Sequence, residues 1–335
     1  MKRIFTLLFA VLTATTIMAQ MHGPMKFVGA SNMTVSTMSN DNPSDTILFA
    51  MNGMESGNIT LPAMKGMQTI PSFTISGAKF TLGENHVVTF ADQTFSTKVT
   101  VNGAEKKITG TSLSGTYNMA DNSLMLTVVF QYGKMPFPMT YTVKGYYVKA
   151  VSNPITVTVG GQFTYNNDNV TYELRRYKDG ETDKLDVAVP SYTLANTIMG
   201  DLTLGSYTVK GLVYDEAQGG YYRDYKNDGL KFHFTAVNGG VTTMDKDYEF
   251  AAGKANNILV KYEGSNVSSI VNTFQMGAMP FGIVSVFSAP ATSIEGVNAN
   301  ATAPADGRTY NLAGQRVDNN YKGIVIVNGK KYLRK

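Results

Sequence analysis

Gln131 to Phe137 reads QYGKMPF and Gln275 to Phe281 reads QMGAMPF, so the pattern Gln-x-Gly-x-Met-Pro-Phe occurs twice, 144 residues apart. Each copy lies between two runs of alternating apolar residues, which is the order expected for a strand, a Gly/Pro corner and a return strand. A chance match of five residues at identical spacing is improbable in a chain of 335 residues. The repeat therefore predicts a duplicated all-β domain.

The segments around the repeats also have the two-residue period of strands. Leu124 to Tyr132 reads as a strand whose two faces are both substantially apolar, which predicts a strand that is covered on both sides or lines an apolar barrel. Asn102-Gly103 tolerates the positive φ angles of a tight turn, so Phe95–Val101 and Ala104–Thr109 are predicted to form a hairpin. Short strands with Gly and Asn turns continue to Phe287, without a helical stripe, and indicate a barrel or a sandwich.

The ends of the chain differ from its middle. Residues 1–19 combine Lys2 and Arg3 with an apolar run and a small-residue exit at Ala19, which predicts a secretory signal peptide cleaved before Gln20. The remaining 316 residues fit two domains, predicted at 20–150 and 151–290 with a joint near Asn153-Pro154. An Ala/Asn/Thr-rich linker is predicted at 291–306 and a small β segment at 307–335.

Composition excludes several classes of function. The chain has no cysteine, which removes disulfides, thiolate metal sites and the modified cysteine of a lipoprotein. The segment from Gln20 to Pro290 has 20 basic and 22 acidic residues, a balance without the basic patch that nucleic acid or an anionic membrane requires. No later stretch has the length and apolarity of a transmembrane helix.

Two copies of about 130 residues behind a signal peptide, each closing on Gly-x-Met-Pro-Phe, resemble the calycin-like, lipocalin-related domains of secreted Bacteroidales proteins. A looser repeat adds to this resemblance, because Leu61-Pro62 leads to Thr69-Ile70 as Val189-Pro190 leads to Thr197-Ile198. The resemblance implies tandem barrels of about eight antiparallel strands, each with room for a ligand, in a secreted or cell-surface protein. It carries over no catalytic or binding residues.

The C-terminal segment has a resemblance of its own. Tyr310 to Val317 reads YNLAGQRV, and Lys322-Gly323-Ile324 and an Asn328-Gly329 turn follow. This segment resembles the C-terminal sorting signals of exported Bacteroidetes proteins, which implies recognition by type IX secretion machinery. Its short basic end departs from the better-studied form, and a small β appendage without a sorting role is the alternative.

Candidate catalytic residues are few. His22, His86 and His233 are the only histidines, and no zinc motif, nucleophile elbow or phosphate loop is present. Asp245, Asp247 and Glu249 alternate along one predicted strand, where a solvated acidic face is the simpler interpretation. We therefore predict no enzymatic activity, no catalytic or metal site and no cofactor.

Two groups of residues suggest binding. Twelve of the 18 methionines fall between Met21 and Met139, including Met51, Met54, Met64 and Met67, and suit either an adaptable apolar pocket or a flexible core. Four tyrosines surround Gly219-Gly220 and are predicted as exposed ligand contacts at a hairpin tip; they are Tyr214, Tyr221, Tyr222 and Tyr225.

The sequence thus predicts a secreted, non-enzymatic protein that holds a small apolar or amphipathic ligand in a barrel. The alternative is a surface adhesion protein with filled barrels as spacers, whose tyrosines contact a glycan or another protein. We expect an incompletely filled lumen in the first domain, lined by Val99, Leu126, Val128 and Phe130. Bulkier residues should fill more of the second lumen; they are Tyr207, Phe232, Phe234 and Tyr262.

Overall fold

A computed structural model describes residues 23–65, 69–83, 86–288, 309–311, 317–318, 321–327 and 330–334. The predicted signal peptide, its cleavage site after Ala19 and the linker at 291–306 lie outside these residues. The chain divides into a body that ends at Ser288 and a C-terminal unit that begins at Ala289. No helix long and apolar enough to cross a membrane occurs among the described residues.

The described chain is all-β, as predicted. The strands of the first half of the body are β1 Met25–Val35, β2 Met38–Met51, β3 Ser56–Leu61, β4 Met64–Lys65, β5 Thr69–Ile70, β6 Phe73–Lys79, β7 Thr81–Leu82, β8 Val87–Val101, β9 Ala104–Asn118, β10 Ser123–Tyr132 and β11 Met139–Val159. Those of the second half are β12 Phe163–Asp179, β13 Thr182–Val189, β14 Tyr192–Thr197, β15 Gly200–Leu204, β16 Tyr207–Asp215, β17 Gly220–Asp224, β18 Lys231–Asn238, β19 Val241–Glu249, β20 Asn257–Glu263, β21 Asn266–Gln275 and β22 Gly282–Ser288. The C-terminal unit contains β23 Thr309–Asn311, β24 Gly323–Val327 and β25 Lys330–Arg334.

The first half of the body is a closed antiparallel barrel of eight strands. Pairing runs from β1 through β2 and β3 to β6, and from β8 through β9, β10 and the first part of β11 back to β1. The short β7 continues the line of β6 and pairs with β8 through Thr81 and Leu82, which closes the ring. The predicted hairpin joins β8 to β9, with Asn102 and Gly103 at φ angles of 51° and 77°.

The second half of the body has a ring of pairings with the same order. The last part of β11 pairs with β12, and pairing continues through β13, β16, β17, β20, β21 and β22 back to β11. Two hairpin excursions leave this ring and form a separate sheet in the order β14-β15-β18-β19. Phe232 and Phe234 belong to that sheet, so their predicted place on a barrel strand is wrong, although both side chains are buried in the second core.

Both repeats form the same corner between the seventh and eighth strands of their rings. The Gln131 amide donates to the Met135 carbonyl at 2.6 Å, and the Gln275 amide donates to the Met279 carbonyl at 2.5 Å. The glycine of each corner, Gly133 or Gly277, has a positive φ angle. These features explain the recurrence of Gln and Gly at fixed spacing, because the glutamine side chain spans a loop whose positive φ angle favours glycine.

One strand serves both rings, which differs from the expected joint. β11 runs unbroken through Asn153-Pro154, where a strand break was predicted. Its register with β12 shifts between Asn153 and Ile155, and β22 begins to pair at Ile155. Proline lacks the N–H that a regular ladder needs but is tolerated at such an irregularity, so Pro154 marks a change of neighbours and not the end of a strand.

The looser repeat has no matching structure beyond its first member. Leu61 and Val189 each end a ring strand, β3 and β13. Ile70, however, is buried in β5, whereas Ile198 is 89% exposed at the turn between β14 and β15. The segments that follow also differ, because β6 is a ring strand and β15 belongs to the separate sheet.

The interiors of both rings are packed with side chains. Val99, Leu126, Val128 and Phe130 point inward as predicted, and β10 lines the barrel with its more buried face. Fully buried aromatic rings join them in the first barrel; they are Phe27, Phe49, Phe90 and Tyr141. The second core contains Tyr172, Tyr225, Phe274 and Phe287. The expected contrast between an incompletely filled first lumen and a fuller second one therefore finds no support.

The C-terminal unit forms a three-stranded antiparallel sheet in the order β23-β24-β25. β24 pairs with β25 through Val327 and Lys330, consistent with the predicted hairpin. Its turn residues, Asn328 and Gly329, lie outside the described residues. These strands agree with the small β segment predicted from the sequence.

Candidate functional site

A cavity of about 920 Å³ lies at one open end of the second ring. Its walls are the inward faces of ring strands where they extend beyond the core: Arg176 is two residues from buried Leu174, and Tyr214 is two residues from buried Leu212. Two-residue alternation places each such pair on one face of its strand. The cavity lining also includes Asp183, Leu185, Gly219, Gly220, Tyr221, Tyr262, Gly264, Ser265 and Asn266.

The first barrel supplies another side of this cavity. Asn122 from the β9–β10 turn and three residues of β11, Tyr147, Lys149 and Ala150, line it. The Lys149 ammonium donates to the Ser265 carbonyl at 3.0 Å, which connects β11 to the turn before β21. The cavity is therefore built from both halves of the body, a common location for ligand sites.

The four predicted tyrosines separate into three environments. Tyr214 and Tyr221 form a registered cross-strand pair and both line the cavity, with Tyr214 58% and Tyr221 6% exposed. Tyr222 lies on the opposite face of β17, in register with exposed Val213. Tyr225 is only 1% exposed and bonds to Asn272 at 2.8 Å inside the ring. The prediction of four exposed contacts is thus wrong for Tyr221 and Tyr225, because successive strand residues point to opposite faces and the inward ones enter the core.

Three of the tyrosine rings in the cavity contact one another. Tyr221 meets Tyr214 edge-on, with ring centroids 5.7 Å apart, and meets Tyr262 at 5.9 Å. Burial raises the pKa of Tyr221 to about 12, aided by its hydrogen bond to Asp183, and burial raises the pKa of Tyr262 to about 12. Both hydroxyls therefore stay protonated at neutral pH and present apolar rings with a polar edge.

An ion pair fixes one wall of the cavity. Arg176 donates from its Nε to the Asp183 carboxylate at 2.8 Å and also from Nη2, and the Tyr221 hydroxyl donates to the same carboxylate at 2.9 Å. The guanidinium carbon lies 5.5 Å from the Tyr221 ring centroid. Burial alone would raise the pKa of Asp183, but the hydrogen bonds from Arg176 and Tyr221 outweigh burial and lower it.

Sequence reasoning assigned no binding role to most of the charged and aromatic lining, although it named Tyr262 as an inward residue. Arg176, Asp183 and Tyr262 lie near strand ends, each two residues from a buried position, and Lys149 and Tyr147 lie within the long β11. Strand alternation indicated which residues share a face. The missing information was which strands meet, because these five residues come from four strands spread over more than 100 residues of sequence.

The histidine and carboxylate candidates form surface pairs. His233 contacts Asp247 and Asp245 across the β18–β19 ladder, each at 2.9 Å, and Lys231 pairs with Glu249 at 3.0 Å. The hydrogen bond to Asp247 raises the pKa of the exposed His233 imidazole. Among the described residues, no cluster of His, Cys, Asp and Glu side chains suits a metal ion. His86 lies in a turn with φ 59°, and His22 is outside the described residues.

The methionines divide between core and surface. Met64 is buried in the first core and Met51 packs against it, whereas Met54 is exposed. Met67 lies outside the described residues. This distribution favours the interpretation that flexible side chains fill the core.

A smaller cavity of about 300 Å³ lies beside β1, β2 and β11 of the first barrel. Asp45 lines this cavity, and its carboxylate accepts hydrogen bonds from the Ser31 hydroxyl, from the Tyr141 hydroxyl at 2.9 Å and from the Asn42 amide at 2.6 Å. Burial, more than any neighbouring charge, raises the pKa of Tyr141 far above its ordinary value. This network is fully satisfied and connects three strands, so it is a structural feature of the barrel.

Comparisons with known proteins bear on the first barrel. No curated protein matches the chain. A solved structure described as a "putative outer membrane protein" from Bacteroides fragilis NCTC 9343 is 14% identical, over 80% of this chain and 96% of that chain, with a TM-score of 0.25, too low to indicate a shared fold. Residues 25–146 match the family model of the Calycin-like beta-barrel domain and coincide with the closed barrel described above. The first half of the body is therefore similar in sequence to a calycin-like β-barrel domain, and its strands form a closed barrel.

Proposed function

We propose that this protein is a non-enzymatic binder of a small amphipathic ligand, held in the cavity at the end of the second ring. The observation that carries the proposal is the combination of tyrosine rings and hydrogen-bonding groups around about 920 Å³ of space. Sites for small molecules are concave, mainly apolar and supplied with a few placed polar groups. The barrel interiors are already occupied by buried aromatic side chains, so the ligand binds at the mouth and not in a lumen.

The absence of enzymatic activity is part of the same proposal. Arg176 and Asp183, two charged groups of the cavity, bond to each other. No histidine is among the cavity's described lining residues. Such a wall orients a ligand, while general acid or base catalysis needs a titratable group with a pKa near the working pH.

A neutral fluorescent dye, N-phenyl-1-naphthylamine, tests the cavity in the full chain. Tyr214→Ala removes the most exposed ring and should weaken dye binding about tenfold, since an aromatic contact and its burial contribute about 1 to 2 kcal/mol. Tyr222→Ala is the matched control. Tyr222 lies on β17, next to the strand of Tyr214, but its ring points to the opposite face of the sheet. Equal affinities of the two variants would contradict the proposed site.

The alternative is a surface adhesion protein in which the two rings are filled spacers. Two observations favour it: the packed interiors and the exposed ring of Tyr214. An adhesin would use Tyr214 to contact a glycan or a protein without closing around a small molecule. Saturable one-to-one dye binding that Tyr214→Ala weakens would argue against this alternative.

We also propose that the second ring is a divergent copy of the calycin-like barrel. Its strands follow the same meander, and the Gln-x-Gly-x-Met-Pro-Phe corner joins its seventh and eighth strands as it does in the first barrel. The separate sheet of β14, β15, β18 and β19 is then a pair of later hairpin insertions.

We also propose that the protein is exported from the cytoplasm. The basic start and apolar run of residues 1–19 support cleavage after Ala19, and the C-terminal segment supports delivery through a Bacteroidales-type type IX pathway. N-terminal sequencing of naturally secreted protein should read from Gln20, and a start at Met1 would contradict export. Deleting 307–335 should leave the body folded but retained in the periplasm; unfolding of the body would instead assign the tail a structural role.

A further inference from the structure

The lining of the 920 Å³ cavity has more positive than negative side chains. Arg176 and Asp183 neutralise each other through a bidentate pair. Lys149 is half-buried, and its ammonium donates to the neutral Ser265 carbonyl at 3.0 Å. No carboxylate forms an ion pair with Lys149 within the part of the chain that the structure describes. The described lining therefore carries one uncompensated positive charge.

The exposed tyrosine ring of the cavity lies beside two glycines, which carry no side chains. Tyr214 offers an exposed ring beside Gly219 and Gly220. A Cβ atom at Gly220 would lie 2.6 Å from the Val260 carbonyl oxygen, so close strand packing requires glycine there. The resulting surface suits a rigid ring that lies against a tyrosine face.

We propose that the ligand is a ring-shaped organic anion whose carboxylate or sulfonate contacts Lys149 and whose ring lies on Tyr214. This inference rests on the proposed function and narrows the chemistry of the same site. An ammonium whose only partner among the described residues is a neutral carbonyl gains a charge-assisted hydrogen bond from an anion, which is stronger than its bond to the carbonyl. A cationic ligand would meet repulsion from Lys149 and would find the Tyr221 face already in contact with Arg176.

Two dyes that differ only in a sulfonate test the charge. The full chain should bind 1-anilinonaphthalene-8-sulfonate about tenfold more tightly than neutral N-phenyl-1-naphthylamine. Lys149→Gln should abolish this preference, so that the variant binds the two dyes with similar affinity. Lys134→Gln, which removes an exposed lysine remote from the cavity lining, should keep the preference.

The outcomes separate the two proposals. Neutral dye bound with a Tyr214-dependent affinity, but without a Lys149-dependent preference for the sulfonate, would overturn the anion inference and leave the binding function intact. Failure of both dyes to bind would overturn both. Added salt should weaken the sulfonated dye more than the neutral one, since exposed charge interactions are screened.

Displacement of the sulfonated dye by competing ligands then distinguishes two classes of ring-shaped acid. Trigalacturonate represents acidic sugars and cholate represents carboxylated steroids. Displacement of the sulfonated dye by the first assigns a saccharide ligand, and displacement by the second assigns a steroid-like ligand. Displacement by neither at millimolar concentration would overturn the assignment to ring-shaped acids.

Discussion

Asp45 shows how one buried side chain can connect three strands. Its carboxylate is 7% exposed and accepts hydrogen bonds from Ser31 of β1, Tyr141 of β11 and Asn42 of its own strand, β2. The register of β1 with β2 shifts between Gly29 and Ser31, next to this network. The carboxylate thus holds the irregular part of the ladder in place.

Asp45→Ala is predicted to destabilise the protein by about 2 to 4 kcal/mol, because it leaves the Ser31 and Tyr141 hydroxyls without an acceptor. Urea unfolding of the variant measures this change. Asp168→Ala, at an exposed position, should alter the free energy of unfolding by less than about 0.5 kcal/mol. Similar midpoints for the two variants would show that the buried network adds no stability.

The Gln93 side chain connects two strands, β6 and β8, by hydrogen bonds that replace backbone pairing between them. Its amide accepts from the Lys79 N–H at 2.7 Å and donates to the Lys79 carbonyl at 2.7 Å. β7 continues the contact through its own pairing with β8. The first barrel is therefore closed partly by one side chain.

Gln93→Ala should loosen this seam and destabilise the first barrel by about 1 to 2 kcal/mol, the value of two net hydrogen bonds. Amide exchange should accelerate at Lys79 and Thr89 and stay unchanged in β12 and β13. Gln162→Ala, at an exposed turn position, serves as the control. Unchanged exchange at Lys79 would mean that backbone packing closes the barrel without the glutamine.

The two rings share β11, so the first barrel folds independently only if it does not need the second ring. Residues 25–149 contain all eight strands of the first barrel, including every registered pair of β11 with β1 and β10. A chain that ends at Lys149 gives up the pairing of Val148 and Lys149 with β12 and a few side-chain interactions, such as the Lys26–Glu173 ion pair at 2.7 Å. We predict that 25–149 folds alone with a cooperative transition. A fragment ending at 138 lacks β11 and should stay unfolded; a circular dichroism spectrum of 25–149 without strand signal would contradict the prediction.

Alkaline stability is also a property of the whole molecule. Burial raises the pKa of many tyrosines; Tyr117, Tyr172, Tyr221 and Tyr262 reach about 12, from an ordinary value of 10.0. A raised pKa means that the folded state keeps the phenol proton longer than the unfolded state, so stability is complete below pH 10 and falls as the pH rises towards 12. Unfolding and tyrosinate absorbance should change together in that window. The chain has no tryptophan to obscure this signal, and independent titration of tyrosines in folded protein would contradict the prediction.

Some of these features were accessible from residues alone. The repeated corner predicted paired strands at Gln131 and Gln275, since glycine and proline at fixed offsets restrict the backbone locally. Asn102-Gly103 predicted its hairpin for the same reason, and alternation placed Leu126, Val128 and Phe130 on one shared face of their strand. In each case the physical cause acts over a few neighbouring residues.

Tertiary structure decided the rest. Whether Tyr225 is a surface contact or a core residue depends on register, since a shift of one residue reverses the two faces of a strand. Pro154 ends no strand, because β12 pairs with β11 on both sides of it and β22 begins to pair just after it. The cavity joins Lys149, Arg176, Asp183 and Tyr214 only because ring closure brings distant strands together. Local sequence patterns determined the strands and their turns, and long-range pairing alone determined which side chains share a site.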